Sequence, residues 1–288
     1  MSLRPTTSIA VLIAVAIAAC GGETEERSRA AAPTDDPGPA HVHGLGVNPR
    51  DDALFVATHT GLFRAASHER KATRVADRRQ DTMGFTVIGR DHFLGSGHPD
   101  FREKLPPFLG LIESRDAGRS WRPVSLLGQA DFHVLEAAGE RVYGFGSDWQ
   151  TREQRLLVSR DGGRSWQQRA TREPLLALAV DPDDPEHVVA SGKRRLYRST
   201  DGGATWGSLG EGAGRLEWPS ARRLYRVALE GDVSLSGDGG KGWRRTGAVE
   251  GEPAAFLADA SGLYVALHDG TIMRSTDGGA SWRVRASP

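Results

Sequence analysis

Histidine is the residue type whose spacing first suggests chemistry in this chain. His41 and His43 are two positions apart in a segment that reads as a strand, so their side chains should project to the same side. With His59 and His98 from neighbouring segments they could form an imidazole cluster, and imidazole is a common ligand of divalent transition metals. The alternative is a polar rim of histidines around a water-filled channel. No HExxH or CxxC spacing supports the metal.

Acidic residues suggest a second chemistry, that of a glycoside hydrolase. Such an enzyme needs two carboxylates across a scissile bond, about 5 Å apart for retention of configuration or roughly 6.5 to 9.5 Å apart for inversion. The carboxylates that would serve here are Asp100, Asp131, Asp148 and Glu230, with Glu217 and Asp269 as further candidates. So many carboxylates form pairs by chance, and the sequence alone therefore identifies no catalytic pair.

An internal repeat shows which elements position these residues. Five segments, called the repeat turns below, share one pattern: SRDAGRSW (114–121), SRDGGRSW (159–166), STDGGATW (199–206), SGDGGKGW (236–243) and STDGGASW (275–282). Their Trp residues are 37 to 45 positions apart, which is typical of four-stranded propeller blades of roughly 40 to 50 residues. The shared Asp and Trp residues are Asp116, Trp121, Asp161, Trp166, Asp201, Trp206, Asp238, Trp243, Asp277 and Trp282.

The flanks of the repeat turns predict four strands in each unit. LLALAVDPDDPEHVVASGKRRLYRSTDGGATW contains three apolar runs separated by DPDDPE and GKR turns, and a fourth run begins at the Trp. A sixth unit, HVHGLGVNPRDDALFVATHTGLFRAASHERKATRV, opens the domain without a repeat turn. We therefore predict an all-β, six-bladed propeller with blades at about 41–80, 81–126, 130–170, 174–210, 213–248 and 252–288. A degenerate seventh blade within the long second unit stays open.

The repeat turns resemble a known repeat, the Asp-box or BNR repeat, with the pattern S-x-D-x-G-x-[ST]-W. Four copies match fully, and one departs at Gly242, where Ser or Thr is usual. The chain is similar to bacterial Asp-box propeller lipoproteins described as glycosylhydrolase-like, over nearly the whole predicted domain. Sialidases, the sortilin ectodomain and photosystem II assembly-factor propellers carry the same repeat.

Physical chemistry gives each repeat turn a structural role. The Asp carboxylate can accept backbone N–H groups of its own turn, Gly can adopt positive φ, and the Trp can fill the space between strands. Five equivalent turns cannot all be one active site. A calcium or other metal role for their Asp residues is the alternative.

The propeller geometry places function on the face opposite the repeat turns, where the innermost strands begin and the second strand of each blade turns into the third. Phe85 is taken as the start of the inner strand in blade two. The histidines predicted on this face, called the histidine rim below, are His41, His43, His59, His98, His133 and His268. Two long connections, HPDFREKLPPFLG and SDWQTREQR, belong to the same face, and binding is often built on such loops. The rim is therefore the predicted ligand-binding surface.

A sialidase activity has little support. The resemblance implies an Arg cluster, a Tyr nucleophile paired with Glu, an Asp acid and an Arg-Ile-Pro motif, and this motif does not occur. The four tyrosines, which all lie in strand patterns that predict core packing, are Tyr143, Tyr197, Tyr225 and Tyr264.

The N-terminus reads as a lipoprotein leader. Residues 1–19 place Arg4 before an apolar run, Ile9 to Ala19, that is too short for a membrane span of about 20 residues. Ile17-Ala18-Ala19-Cys20 resembles the bacterial lipobox, which predicts lipidation of Cys20; an ordinary secretory cleavage site is the alternative. Residues 20–40 are predicted to be a disordered tether. With one cysteine, the chain has no disulfide framework.

These features predict a lipid-anchored, extracytoplasmic propeller of the bacterial cell envelope. Lys plus Arg equals Asp plus Glu at 37 each, so the net charge does not indicate nucleic acid. The protein is expected to be monomeric, to be held to the membrane through Cys20 and to bind an envelope protein, small ligand or glycan at the rim without catalysis. A glycoside hydrolase and a protein binding a divalent transition metal as cofactor are the alternatives.

Overall fold

Six four-stranded antiparallel sheets make up the part of the chain that the structure, a computed structural model, describes, which is residues 38–39 and 41–287. The predicted leader, Cys20 and nearly all of the predicted tether lie outside the described residues. Within those residues no helix is long and apolar enough to cross a membrane.

In every sheet the strands pair in chain order. Blade one contains β1 Val42–Val47, β2 Leu54–Thr58, β3 Gly61–Ala65 and β4 Thr73–Arg74. Blade two contains β5 Asp81–Gly89, β6 His92–His98, β7 Leu111–Ser114 and β8 Arg122–Ser125. Blade three contains β9 Ala130–Ala138, β10 Arg141–Asp148, β11 Gln154–Ser159 and β12 Gln167–Arg169.

The second half of the ring repeats this arrangement. Blade four contains β13 Ala177–Val180, β14 Val188–Ser191, β15 Arg195–Ser199 and β16 Gly207–Glu211. Blade five contains β17 Arg215–Glu217, β18 Leu224–Val227, β19 Asp232–Ser236 and β20 Arg244–Ala248. Blade six contains β21 Pro253–Asp259, β22 Gly262–Leu267, β23 Ile272–Ser275 and β24 Arg283–Ala286.

The six sheets form a closed propeller. The first strand of each blade contacts the first strand of the next, and β21 contacts β1 to complete the ring. A central channel is lined by residues of these innermost strands. The prediction of an all-β propeller is confirmed, and the described chain has six blades without a seventh.

Apolar clusters between neighbouring blades form the core. Tyr143 and Phe145 of blade three pack with Leu178 and Val188 of blade four, and each of these side chains is buried. Equivalent clusters lie at the other blade junctions. Burial of apolar surface on both faces of each sheet explains why the strands read as nearly continuous apolar runs.

The repeat turns connect the third and fourth strands and satisfy their own polar groups. In blade three, Asp161 Oδ1 accepts the backbone N–H of Ser165 at 2.8 Å, and Asp161 Oδ2 accepts the Ser165 hydroxyl at 2.6 Å. Ser159 Oγ accepts the Gly163 N–H at 2.8 Å. Gly163 has a φ of 85°, and an added Cβ would lie 2.0 Å from Leu111 Cδ2. Both the φ and the close approach to blade two therefore require glycine.

Candidate functional site

The histidine rim surrounds one mouth of the central channel. A cavity of about 290 Å³ at this mouth is lined by His41, His43, His133 and His268, together with Arg215. His59 follows β2 in the turn before β3, and His98 ends β6. The propeller thus gathers side chains that are more than 200 positions apart in sequence at one opening.

Asp81 is the center of this group, and the sequence analysis did not single it out. His59 Nδ1 and His98 Nδ1 each lie 3.1 Å from Asp81 Oδ2, and His43 Nε2 lies 3.6 Å from Asp81 Oδ1. One donor atom each from His43, His59 and Asp81 lie within 4.8 Å of one another. Asp81 is only 8% exposed, so its carboxylate is set beneath the histidines rather than on the surface.

Strand pairing explains how these residues meet. Asp81 is the first residue of β5 and is the cross-strand partner of His98 in β6. In blade one the His59 backbone N–H donates to the His41 carbonyl at 3.2 Å, which closes the end of the β1–β2 pair. Blades one and two are neighbours in the ring, so the two strand ends face the same opening.

A second carboxylate continues the group into blade three. His98 Nε2 lies 3.6 Å from Asp131 Oδ2, and His133 Nε2 lies 2.9 Å from the same oxygen. Imidazoles and carboxylates therefore alternate from His59 through Asp81, His98 and Asp131 to His133. Each His98 nitrogen faces a carboxylate, an arrangement that fixes the orientation of the ring.

The surroundings of two of the rings shift their proton affinity in opposite directions. Burial lowers the pKa of His43, and the neighbouring imidazoles add to this effect against the attraction of Asp81. A hydrogen bond to Asp81 raises the pKa of His98, and the charge of Asp131 acts in the same direction. The surroundings thus shift the equilibrium of His43 toward the neutral imidazole and that of His98 toward the protonated one.

Three buried atoms in this group have no hydrogen-bond partner among the described residues. They are His43 Nε2, Asp81 Oδ1 and Asp131 Oδ1. A buried polar atom without a partner costs about 1–3 kcal/mol of desolvation.

The metal ligands predicted from the sequence differ from the residues that the structure brings together. His43 and His59 lie together as expected, and His98 contacts the opposite side of the Asp81 carboxylate. The predicted strand geometry of His41 is wrong: His41 precedes β1, has a φ of 52°, and its ring lies 6.0 Å from that of His59. A bulge in β1 between Val42 and Gly44 also interrupts the simple alternation on which that prediction rested.

Asp81 was missed because the start of the inner strand in blade two was placed at Phe85. The strand begins four residues earlier, and Phe85 is buried within it. The signal that could have found Asp81 is its match to Asp131, which lies at the start of the inner strand of blade three.

The predicted hydrolase carboxylates are held in unrelated contacts. Arg102 hydrogen-bonds to Asp100 and holds the pKa of that carboxyl well below its usual range. Asp148 accepts the Thr151 backbone N–H at 2.8 Å, which lowers the pKa of Asp148. Glu230 is exposed in the turn between β18 and β19. Of the four, Asp131 alone contacts the described residues of the histidine group, through His98 and His133.

Tyrosine placement follows the sequence prediction. Tyr143, Tyr225 and Tyr264 are each at most 3% exposed. The Tyr197 hydroxyl donates to Glu173 Oε1 at 2.8 Å. Core packing therefore accounts for three of the four, and the fourth has a carboxylate partner.

Two glutamates lie deeper in the channel than the histidines. Glu136 of β9 and Glu217 of β17 line its middle section and the section beyond it. Burial raises the pKa of Glu136 to about 8. Burial also raises the pKa of Glu217, with repulsion from Glu136 and Asp259 as further causes. Glu217 is thus a channel residue rather than the rim residue that the sequence suggested.

Aromatic side chains adjoin the histidine group on the long connections. His98 packs edge-on against Phe108 with ring centers 5.6 Å apart, and Phe108 packs against Trp149 at 5.2 Å. The Arg152 guanidinium lies 4.1 Å from the center of the Trp149 ring. Phe101, on the same connection as Phe108, is 81% exposed and Trp149 is 37% exposed. Phe101, Phe108 and Trp149 are called the aromatic ledge below.

Comparison with known proteins finds solved structures with a similar fold and a relative that is similar over part of its length. No protein-family model matches the chain. The chain is 25% identical over 162 residues to the dispase autolysis-inducing protein of Streptomyces mobaraensis, a stretch that covers 56% of this chain and 36% of that protein. The chain therefore spans about a third of the length of that relative.

Two solved structures resemble the whole propeller. One is YCF48 from Cyanidioschyzon merolae, at 13% identity and a TM-score of 0.54, with 86% of each chain covered. The other is YCF48 bound to D1 peptide, at 15% identity and a TM-score of 0.52, with 86% of this chain and 83% of that chain covered. At these identities the likeness shows the propeller fold.

Proposed function

We propose that this protein is a lipid-anchored extracytoplasmic propeller that binds a segment of a partner protein on the face formed by the histidine rim and the aromatic ledge. The observation that carries the proposal is the exposure of Phe101, at 81%, on the same β6–β7 connection as Phe108. Exposed large aromatic side chains are typical of protein-binding surfaces, where aromatic residues contribute much of the binding energy.

The shape of this face supports a peptide ligand. The ledge contacts His98, whose ring also contacts Asp81. A cavity of about 290 Å³ lies at the channel mouth, close to the lower end of the range for small-ligand sites. YCF48, which shares the fold, has been solved with a bound D1 peptide. The role of the repeat turns as Asp-box turns fits this assignment, because their hydrogen bonds are internal to each turn and leave the opposite face for binding.

Site-specific photocrosslinking tests the proposal directly. A photoreactive phenylalanine analogue would replace Phe101 or Trp149 in the full-length protein, expressed in its native envelope. We expect both positions to crosslink to the same peptide of one partner, identified by mass spectrometry. Val284, which is 42% exposed on the outer strand of blade six, is the matched control position. Equal crosslinking from all three positions, or none from the ledge, would contradict the proposal.

The lipid anchor is tested separately. Cys20→Ala should abolish incorporation of a labelled fatty acid and release the protein from the membrane fraction, because Cys20 is the only cysteine available for acylation. Retention of the Cys20→Ala protein in the membrane fraction would show that the anchor assignment is wrong. The outcome does not bear on the ledge, since the residues of the ledge belong to the propeller.

A further inference from the structure

We propose that His43, His59 and Asp81 bind one divalent transition metal ion at the channel mouth. This site goes beyond partner binding and does not depend on it. The three side chains come from two neighbouring blades, so the ion would also join blade one to blade two.

The spacing of the donor atoms matches the requirement of such an ion. A tetrahedral zinc ion with ligands about 2.0–2.1 Å away separates its ligand atoms by roughly 3.3 Å. His43 Nε2 lies 3.6 Å from Asp81 Oδ1, close to this spacing, and His59 Nδ1 lies 3.1 Å from Oδ2 of the same carboxylate. The chosen donor atoms of all three residues lie within 4.8 Å of one another, so small side-chain rotations would bring them onto one ion.

Unpartnered atoms are an independent indication of a cation site. His43 Nε2 and Asp81 Oδ1 are buried and have no hydrogen-bond partner among the residues that the structure describes. Their separation of 3.6 Å is too long for a hydrogen bond between them. A cation between these two atoms would satisfy both and would remove the desolvation cost of leaving them unpaired.

The outer contacts are those that metal ligands usually have. His98 Nδ1 lies 3.1 Å from Asp81 Oδ2, so it can hold the carboxylate in place while the ion takes the other oxygen. Asp131 in turn contacts His98 and His133. Such partners orient the ligands of a metal and raise its affinity, and their loss typically costs 10- to 100-fold.

The types of donor atom indicate the class of ion, and the exposure of His59 leaves one coordination position of the ion open to solvent. Two imidazole nitrogens and one carboxylate oxygen suit zinc, iron(II), cobalt(II) or nickel(II), whereas calcium and magnesium prefer oxygen ligands alone. The His59 side chain is 59% exposed, so the ion could enter from solvent. Three protein ligands leave at least one coordination position for water or for a group of a bound molecule.

The test is titration of metal-free protein with zinc alone. Full-length protein would be stripped with a chelator and titrated by calorimetry, with the visible spectrum of cobalt(II) as a report on coordination. We expect one zinc ion per chain with micromolar or tighter affinity. Asp81→Asn, which keeps the side-chain shape, and His43→Ala should each weaken binding at least tenfold.

Matched controls make the outcome decisive. His68→Ala removes an exposed histidine from the turn between β3 and β4, on the opposite face, and should leave zinc affinity unchanged. His59→Ala alters a largely exposed side chain, so it keeps the test valid even if Asp81→Asn does not fold. Circular dichroism would verify folding. Wild-type affinity in His59→Ala and His43→Ala, or no zinc binding by the folded wild-type protein at millimolar zinc, would overturn the proposal.

Discussion

At the scale of single residues, this propeller concentrates its unusual electrostatics along the channel axis. Asp81 is approached by three imidazoles at the mouth, whereas Glu136 and Glu217 share the deeper section and form no ion pair with another described residue. The pKa of Glu136 is raised by burial to about 8, and repulsion between the two glutamates contributes to the raised pKa of Glu217. At the channel mouth the Asp81 carboxylate therefore has imidazole partners, whereas deeper in the channel the raised pKa values favour the protonated, neutral forms of Glu136 and Glu217.

The raised pKa of Glu136 predicts a pH-dependent stability. An unfolded Glu has a pKa near 4.3, so the folded state holds the Glu136 proton more tightly. The resulting stabilisation is complete below the unfolded pKa and is lost as the pH rises through about 8. Glu136→Gln cannot ionise, so between neutral pH and about pH 9 its free energy of unfolding should fall less than that of the wild type, by about 1–2 kcal/mol.

Urea denaturation of both proteins at several pH values measures this difference. Glu140→Gln, at an exposed glutamate in the turn after β9, is the matched control and should follow the wild type. Parallel pH profiles for Glu136→Gln and the wild type would show that the Glu136 carboxyl is hydrated and that its pKa is not raised.

Residue identity alone predicted only part of the site. Five of the rim histidines were expected from strand ends and turns, and they lie there, because alternating strands and turns fix which end of a blade a residue occupies. His41 shares the mouth, although it precedes the strand on which it was expected. The partners of these residues could not be predicted, since Asp81 meets His43 and His59 only through the packing of two blades. Carboxylates such as Asp100 were given too much weight as catalytic candidates, because the sequence pattern does not show their Arg partners.

At the scale of elements, each repeat turn forms its hydrogen bonds within itself, so these bonds can be compared between the copies. Blade six illustrates the full set: Asp277 Oδ1 accepts the Ser281 N–H at 2.9 Å, and Asp277 Oδ2 accepts the Ser281 hydroxyl at 2.5 Å. In blade five, Asp238 Oδ1 accepts the Gly242 N–H at 2.9 Å, but residue 242 has no hydroxyl for Oδ2. The sequence predicted the bonds from the backbone N–H groups and the departure at Gly242, because every partner lies within four residues, but it did not predict the bond from the hydroxyl.

Gly242→Ser should therefore stabilise the protein. A Cβ at this position would lie 3.1 Å from Asp238 Oδ2, so the carboxylate must move by a few tenths of an ångström, and the φ of Gly242 is outside the left-handed region. Serine can thus supply the missing hydrogen bond and also restricts the unfolded chain, for a gain of about 0.5–1.5 kcal/mol. Thermal unfolding would measure the gain. Gly242→Ala adds the Cβ without the hydroxyl, so equal stabilities of the two variants would assign the whole effect to the unfolded chain.

At the scale of the whole molecule, the ring must close between blades one and six, because each blade is formed by one contiguous stretch of the chain. The two blades pack through a buried cluster that includes Val42 and Leu45 of β1 and Tyr264 and Ile272 of blade six. Ser287 adds a parallel bridge to Lys71. The number of blades could be predicted from the repeat. The hydrogen bonds that close the ring could not, because they join residues more than 200 positions apart and no local sequence pattern marks them.

Arg285 is the side chain that makes this polar closure. It is 9% exposed, and its guanidinium donates to the carbonyls of Glu69 at 2.6 Å, Ala66 at 2.8 Å and Ala65 at 3.2 Å. Burial lowers the pKa of Arg285, which reflects the cost of placing the cation there. Arg285→Met keeps the apolar stem but removes three hydrogen bonds between the ends of the ring, so the free energy of unfolding should fall by roughly 2 kcal/mol.

The effect of Arg285→Met should also be distributed unevenly around the ring. Opening at the junction of blades one and six would free β4 and β24 before the other blades unfold, which hydrogen exchange can detect as lost protection confined to these strands. Arg283→Met changes an exposed arginine of the same strand and should leave stability and exchange unchanged. If Arg285→Met lowered protection equally in all six blades, the propeller would unfold as one unit, and the closure would not be its weakest junction.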